Sequence, residues 1–383
     1  MNKNFSNQVT KRIIRDGLAT NTSTVCSPVS IDVVLGMMAF GVRNATLDEL
    51  LRVLGFVGVA ELDANAVRLA GVLGADEEES GLKVGWVNGL WFDKRFGGLK
   101  DEFVKGLRDV HGAEARVVDF VNQADEVVNE VNTWAEQQTN GLIKHLISNH
   151  DINAYTKVLL TNALHFKSTW LHPFYTKDTT EQNFTLINGD TVRVPFMNRF
   201  LKYYDYGMCE GCQVLRLPYR CKDPWKRFSM YIFLPKEVNG LLNLMENIDI
   251  DESLFRDQIR LEYVEITKVC IPRFELETRV SLKESMEQLG LRLPFRENCN
   301  DFSGIGDAPE SLCVSDIIQK CRVESNERGT EAGVVTWSEV IVGAPLSSEV
   351  GPIHFVADHP FMFMIREDLS GVILFVGTML GPN

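Results

Sequence analysis

KVLLTNALHF, residues 157–166, is nearly all apolar, as a strand covered on both faces must be. The patterns on either side of it differ. Before it they are mainly helical. Val9, Ile13, Ile14 and Leu18 form one stripe, and a second helix opens at Ser27-Pro28 and runs through IDVVLGMMAFGV. Ser27 is placed to cap that helix and Pro28 to take its first position. A third is expected over 126–147, with Val128, Val131, Trp134 and Ala135 on one face. After residue 166 the patterns are mainly strands. VLRLPY (214–219) and FSMYIFLP (228–235) read as a hairpin, VEITKVCIPRFEL (264–276) as one strand, and SLKESMEQLGL (281–291) as a helix. FMFMIRE (361–367) and GVILFVGTML (371–380) read as a closing hairpin. Helices first and strands later, without strand–helix–strand alternation, indicate an α+β fold. No repeat or Pro/Gly/Ser-rich linker divides the chain, so one domain over 1–383 is expected.

The 383 residues carry a net charge of −13, with 45% hydrophobic and 24% charged residues. That is the balance of a soluble globular protein. The acidity argues against nucleic acid as a partner, and no apolar run reaches the roughly 20 residues of a membrane span. The N-terminus lacks the apolar core of a secretory leader, so a cytoplasmic chain is expected, with export by an unconventional route the alternative. In that compartment the 8 cysteines should be reduced thiols, including the Cys209/Cys212 pair in a predicted hairpin. Sequons at Asn4, Asn21, Asn44 and Asn183 would then stay unmodified.

The motifs of catalysis are missing: no G-x-S-x-G elbow, no HExxH, no Walker A loop and no GxGxxG after a strand. His145 and His150 do not share a helical face, and Asp358-His359, adjacent in sequence, are poorly placed for a dyad. Cys209 and Cys212 lack the further ligands a zinc site needs. An enzyme is not expected, and neither is a cofactor or a metal.

Several segments in order resemble the serpin family, and plant serpins most closely. They are CSPVSIDVVLGMMAFGVRNATLDEL (26–50), WVNGLWFDK (86–94), VNTWAEQQTNGLIKHLI (131–147), LLTNALHFKSTWLHPF (159–174), VPFM (194–197), LRLPY (215–219), FSMYIFLP, FVADHPFMFMIRE (355–367) and GVILFVGTML. The resemblance implies three sheets, eight or nine helices and an exposed reactive-centre loop at 327–350, with its hinge at 327–335. It implies a suicide-substrate mechanism. A protease cleaves the loop and becomes an acyl-enzyme. The loop then inserts into the main sheet and the protease is trapped. It also places Arg273 and Trp170 where the loop enters the sheet, and Ser27, Ser30, Asn162 and Gln319 at the polar cluster where the sheet opens. Gln319 stands where the family commonly has histidine. Arg273 stands where it usually has lysine, and a bidentate ion pair with Glu327 is expected.

ESNERGTEAGVVTWSEVIVGAPLSSEVGPIHF (324–355) carries the family's hinge pattern at Glu327, Arg328, Gly329, Thr330, Glu331, Ala332 and Gly333. With Thr330 inward, one face reads Thr330, Ala332, Val334, Thr336, Ser338, Val340 and Val342, without a charge or a proline. The other face carries Glu331 and Glu339. Gly333, Val334 and Val335 interrupt the family's alanine run, and Trp337 points outward. In the intact protein Thr330 is expected to border an exposed loop. The family count from Gly329 puts the bait bond at Gly343–Ala344, with Val342–Gly343 and Leu346–Ser347 as alternatives. No Lys or Arg lies between 329 and 355, which suits an elastase-like protease. The implied function is inhibition of a serine protease, or also a cysteine protease, by a monomer. The alternative is a non-inhibitory serpin serving as chaperone, carrier or store.

Overall fold

The strand read at 157–166 spans Val158–Thr169 and lies inside a seven-stranded sheet. The structure, a computed structural model, describes residues 4–74, 76–77, 82–209, 211–251, 254–297, 300–306, 312–330 and 351–381. On one side Val158–Thr169 pairs antiparallel with Leu82–Asp93, and on the other parallel with Val314–Ser325. Ala113–Val118 adds parallel to Leu82–Asp93, and Phe274–Ser281 antiparallel to Val314–Ser325.

Both faces of this sheet are covered, which explains the apolar run. Val158, Leu160, Leu164 and Phe166 enter the main core. Leu159 and Ala163 point the other way, into a second cluster with Trp91, Val131, Trp134, Ala135 and Ile318. The helix Ala124–Gln138 forms the cover on that side. Each large apolar side chain so buried contributes about 1.5–3 kcal/mol.

A second, nine-stranded sheet contains the C-terminal hairpin Phe361–Glu367/Ile373–Met379, flanked by Phe228–Pro235 and Thr24–Cys26. The 19-residue strand Thr191–Cys209 runs through this sheet and joins two parts of it. Residues 191–196 pair with Thr180–Thr185, 205–209 with Cys212–Pro218, and 196–207 with Leu261–Pro272. Two of the three sheets implied by the resemblance are thereby fused into one ladder. Among the described residues there are eight α-helices, and the fold is α+β.

Four local readings are corrected. The helix expected over 126–147 ends at Gln138. Asn140 and Gly141 take positive φ, and the Gly141 N–H bonds back to the Glu136 carbonyl at 2.7 Å. Buried Ile143, Leu146 and Ile147 belong to the same cluster as the helix, which gave the pattern its false continuity. The segment 264–276 is two strands in two sheets, Leu261–Pro272 and Phe274–Ser281, with Arg273 at the crossing. One strand–helix–strand unit does occur: the helix Asp101–His111 links the parallel strands Leu82–Asp93 and Ala113–Val118. Cys209 and Cys212, expected as thiols, face each other across a tight hairpin turn and form a disulfide.

Candidate functional site

Val158–Thr169 and Val314–Ser325 meet along a seam of parallel rungs, from Val158–Val314 to His165–Arg322. Both strands continue further, but among the described residues no rung joins them beyond His165–Arg322. At that open end the turn Asn326–Gly329 folds back, and Gly329–Thr330 pairs antiparallel with Thr169 and Ser168. Gly329 has φ +149, and a Cβ there would stand 2.1 Å from the Ser168 carbonyl oxygen. Only glycine lets the backbone come this close.

Trp170 holds the turn. Its backbone N–H donates to the Arg328 carbonyl at 2.7 Å and its indole N–H to the Asn326 carbonyl at 2.8 Å. Its ring stacks on Tyr219 with centroids 4.5 Å apart. Tyr219 in turn shares a 2.8 Å hydrogen bond with the Thr330 hydroxyl. Burial pushes the Tyr219 phenol well above its ordinary pKa, although the Thr330 bond opposes this. Thr330 is only 1% exposed. Thr330 itself is thus buried in the intact protein, and the loop it was expected to border lies outside the described residues. Local sequence gave no signal for Tyr219 as its partner.

Arg273 and Glu327 pair beside this turn, but not fork to fork. Arg273 Nε donates to Glu327 Oε1 at 2.7 Å, and Nη2 donates to the same oxygen. The Thr179 hydroxyl donates to that oxygen as well. Burial alone would raise the Glu327 pKa, but the Arg273 and Thr179 hydrogen bonds outweigh it and hold the carboxyl below its ordinary value. The geometry follows from the crossing. Arg273 lies between strands of different sheets, where its backbone N–H bonds to the Pro195 carbonyl at 2.9 Å.

Midway down the seam three polar side chains stand in register: Asn88, Asn162 and Gln319, on three adjacent strands. Asn162 donates to Asn88 at 2.7 Å. Gln319 reads both backbone groups of Ser27, accepting from its N–H and donating to its carbonyl, each at 3.1 Å. The Cys26 thiol also donates to Gln319 Oε1, at 3.0 Å. Burial raises the Cys26 pKa to about 12, so the thiol stays protonated; weaker bonds from Thr10 and Ser27 pull it down. Ser27 caps the helix Pro28–Gly41 by accepting from the Ser30 N–H at 3.2 Å. Asn162 Oδ1 and Ser30 Oγ are buried without partners among the described residues.

Glu331, Ala332, Gly333, Gly343 and Ala344 lie outside the described residues, as does the rest of 331–350. Asp358 and His359, read as poorly placed for a dyad, do bond, Oδ1 to Nδ1 at 2.8 Å. Burial lowers the imidazole pKa, but the Asp358 carboxylate and the Pro235 carbonyl, 2.7 Å from Nε2, outweigh it and raise it. Both ring nitrogens are thus occupied, and neither is free to serve a nucleophile.

The fold that holds this seam recurs in known proteins. The family model described as Serpin (serine protease inhibitor) matches residues 1–382. The chain belongs to the serpin family. Serpin-Z10 of Arabidopsis thaliana is 37% identical to it, over 98% of this chain and 96% of that protein. Serpin-Z7 of Hordeum vulgare is 35% identical, over 99% and 94%. Among solved structures, Arabidopsis AtSerpin1 in its native stressed conformation superposes with a TM-score of 0.86 at 33% identity, covering 98% of this serpin and 97% of that chain. Serpins are protease inhibitors rather than catalytic enzymes, and target proteases are their partners.

Proposed function

We propose that this serpin is inhibitory and traps a serine protease by inserting its loop into the seam. One observation carries the reading. Gly329–Thr330 already lies antiparallel to Ser168–Thr169, at the point where the two parallel strands part. A strand inserted between parallel neighbours can run antiparallel to both.

The register gives the partners. Continuing from Thr330–Ser168 sets Ala332 against Phe166, Val334 against Leu164, Thr336 against Asn162, Ser338 against Leu160 and Val340 against Val158. These partners face the main core, and the inserting residues are all uncharged. Thr336 would arrive beside the orphaned Asn162 Oδ1 and could donate to it. The opposite face would carry Trp337 against Thr161, beneath the helix Ala124–Gln138. That helix must lift for the strand to pass.

In the reaction, the protease serine attacks the bait carbonyl, the peptide bond breaks, and the new amine leaves with the C-terminal fragment. Insertion then carries off the acyl-enzyme before water can hydrolyse the ester. A small apolar bait at Val342–Gly343–Ala344 suits an elastase-like protease. Mixing the two should give a complex that survives SDS. Clean cleavage at all ratios without a complex would instead support the non-inhibitory reading.

A further inference from the structure

His165 occupies the last rung of the closed seam. Across the seam its partner is Arg322, and on its other side Gly85. The side chain is buried, with the residue 4% exposed, and neither ring nitrogen has a hydrogen-bond partner among the described residues. The ring lies over Gly85, where a Cβ would stand 1.7 Å from its Cε1. The imidazole thus fills the volume that a side chain at 85 would take.

The charges facing it are cationic on every strand it touches: Lys167 on its own, Lys83 on the antiparallel neighbour and Arg322 across the seam. Three described carboxylates nearby, Glu275, Glu277 and Glu324, have other partners. Glu275 pairs with Arg322 at 2.8 Å and Glu277 with Lys320 at 2.7 Å, both from the next strand out. Glu324 accepts from Asn326 at 2.9 Å. Above the same face, the Leu142 carbonyl accepts from Arg322 at 3.2 Å.

We propose that His165 is an acid-operated latch on the seam. As a neutral ring it packs the last rung and the strands stay closed. As an imidazolium it is a buried charge beside Lys83, Lys167 and Arg322, and the seam opens where the hinge enters. The proposal rests on the inhibitory reading, since it is loop insertion that the latch would govern. The register extended from the hinge sets Gly333 against His165, and glycine leaves room for the ring beside an inserted strand.

Burial first, then Lys83, Lys167 and Arg322, hold the His165 pKa at about 4, against 6.5 ordinarily. Because the closed-state pKa is lowered, the closed seam has its full stability above pH 6.5 and loses it as pH falls toward 4. If opening restores the ordinary value, going from pH 7.5 to pH 5 raises the open fraction roughly thirtyfold.

The test uses the intact full-length chain and a fluorescent synthetic peptide of sequence GTEAGVVTWSEVIV, copied from residues 329–342. Uptake is followed on native gels at pH 7.5 and pH 5. Wild type should take up peptide at least about tenfold faster at pH 5. His165→Phe and His165→Gln should differ less than about twofold between the two pH values, while His111→Phe keeps the acid response. Melting at pH 7.5 checks that each variant is folded. An acid response that persists in His165→Phe and His165→Gln overturns the latch. So does pH-independent uptake by wild type; if cleaved wild type still melts higher than intact, the latch alone fails. No uptake at either pH, with no gain in melting temperature on cleavage, overturns the inhibitory reading and the latch with it.

Discussion

The C-terminal hairpin and the seam are both buried ladders in the same molecule, yet they are built from different chemistry. In the hairpin, Phe361, Met362, Phe363, Met364 and Ile365 are fully buried in succession, with strands bonded on either side. Along the seam, buried positions include Thr161, Asn162, His165, Gln319 and Lys320, and several of their polar atoms lack partners. Apolar packing cannot be exchanged without opening a cavity. Hydrogen bonds can be handed to a new partner if one arrives with the right register. The hairpin is therefore a fixed frame, and in the proposed mechanism the seam is the joint whose polar row would accept another strand.

The largest effect should come from breaking the frame. Phe363 lies 5.2 Å from Phe274, ring to ring, and fills the space over Gly377. Phe363→Ala should cost about 3–5 kcal/mol in urea unfolding. It should not selectively open the seam. Asn162→Ala should show the opposite profile. Loss of the bond to Asn88 costs about 1–3 kcal/mol, while peptide uptake and self-polymerisation should accelerate beyond what that destabilisation produces in other variants. Equal behaviour of the two variants at equal stability loss would erase the distinction.

A smaller effect is expected at the entrance. The Arg273 side chain is 40% exposed but that of Glu327 only 6%. Discounting for solvent on the arginine side, Arg273→Ala should cost about 1–2 kcal/mol. The sign with pH follows from the lowered Glu327 pKa. The pair's contribution is present above the ordinary carboxylate value and is lost as pH falls through the lowered one. The variant should therefore lose part of the acid-side drop in stability seen for wild type, measured by melting between pH 5 and pH 3.

The fold was legible where one pattern had one cause. The run at 158–166 is apolar because both of its faces are covered, and the closing hairpin has the same origin. The expected helix over 126–147 failed because tertiary burial of Ile143 and Leu146 imitated helical periodicity. The single strand read at 264–276 hid a change of sheet at Arg273, which alternation alone cannot register. The site was legible only through the resemblance. Nothing in the local pattern shows that Tyr219 receives Thr330, or that Gln319 clamps Ser27 through both backbone groups. Those contacts join residues far apart in sequence. Because Thr330 is already buried in the intact protein, a charge that probes the inserting face belongs further along, at Ala332.

The smallest predicted effect concerns Trp337, which the proposed insertion would carry under the covering helix. Trp337→Ala should speed insertion relative to deacylation and lower the number of inhibitor molecules consumed per protease trapped, by about twofold. A rise in that number would mean that the indole assists passage beneath Val131 and Trp134 rather than hindering it.

The most direct test of the account is the melting temperature before and after cleavage within residues 342–347. If the loop enters the seam, cleaved wild type should melt on the order of 10 °C or more above intact protein, because a full strand of ladder bonds has been added. Cleaved Ala332→Arg should show no such gain, since an unpaired guanidinium would have to be buried at the first step beyond the hinge pair. An unchanged or lower melting temperature in cleaved wild type would contradict loop insertion.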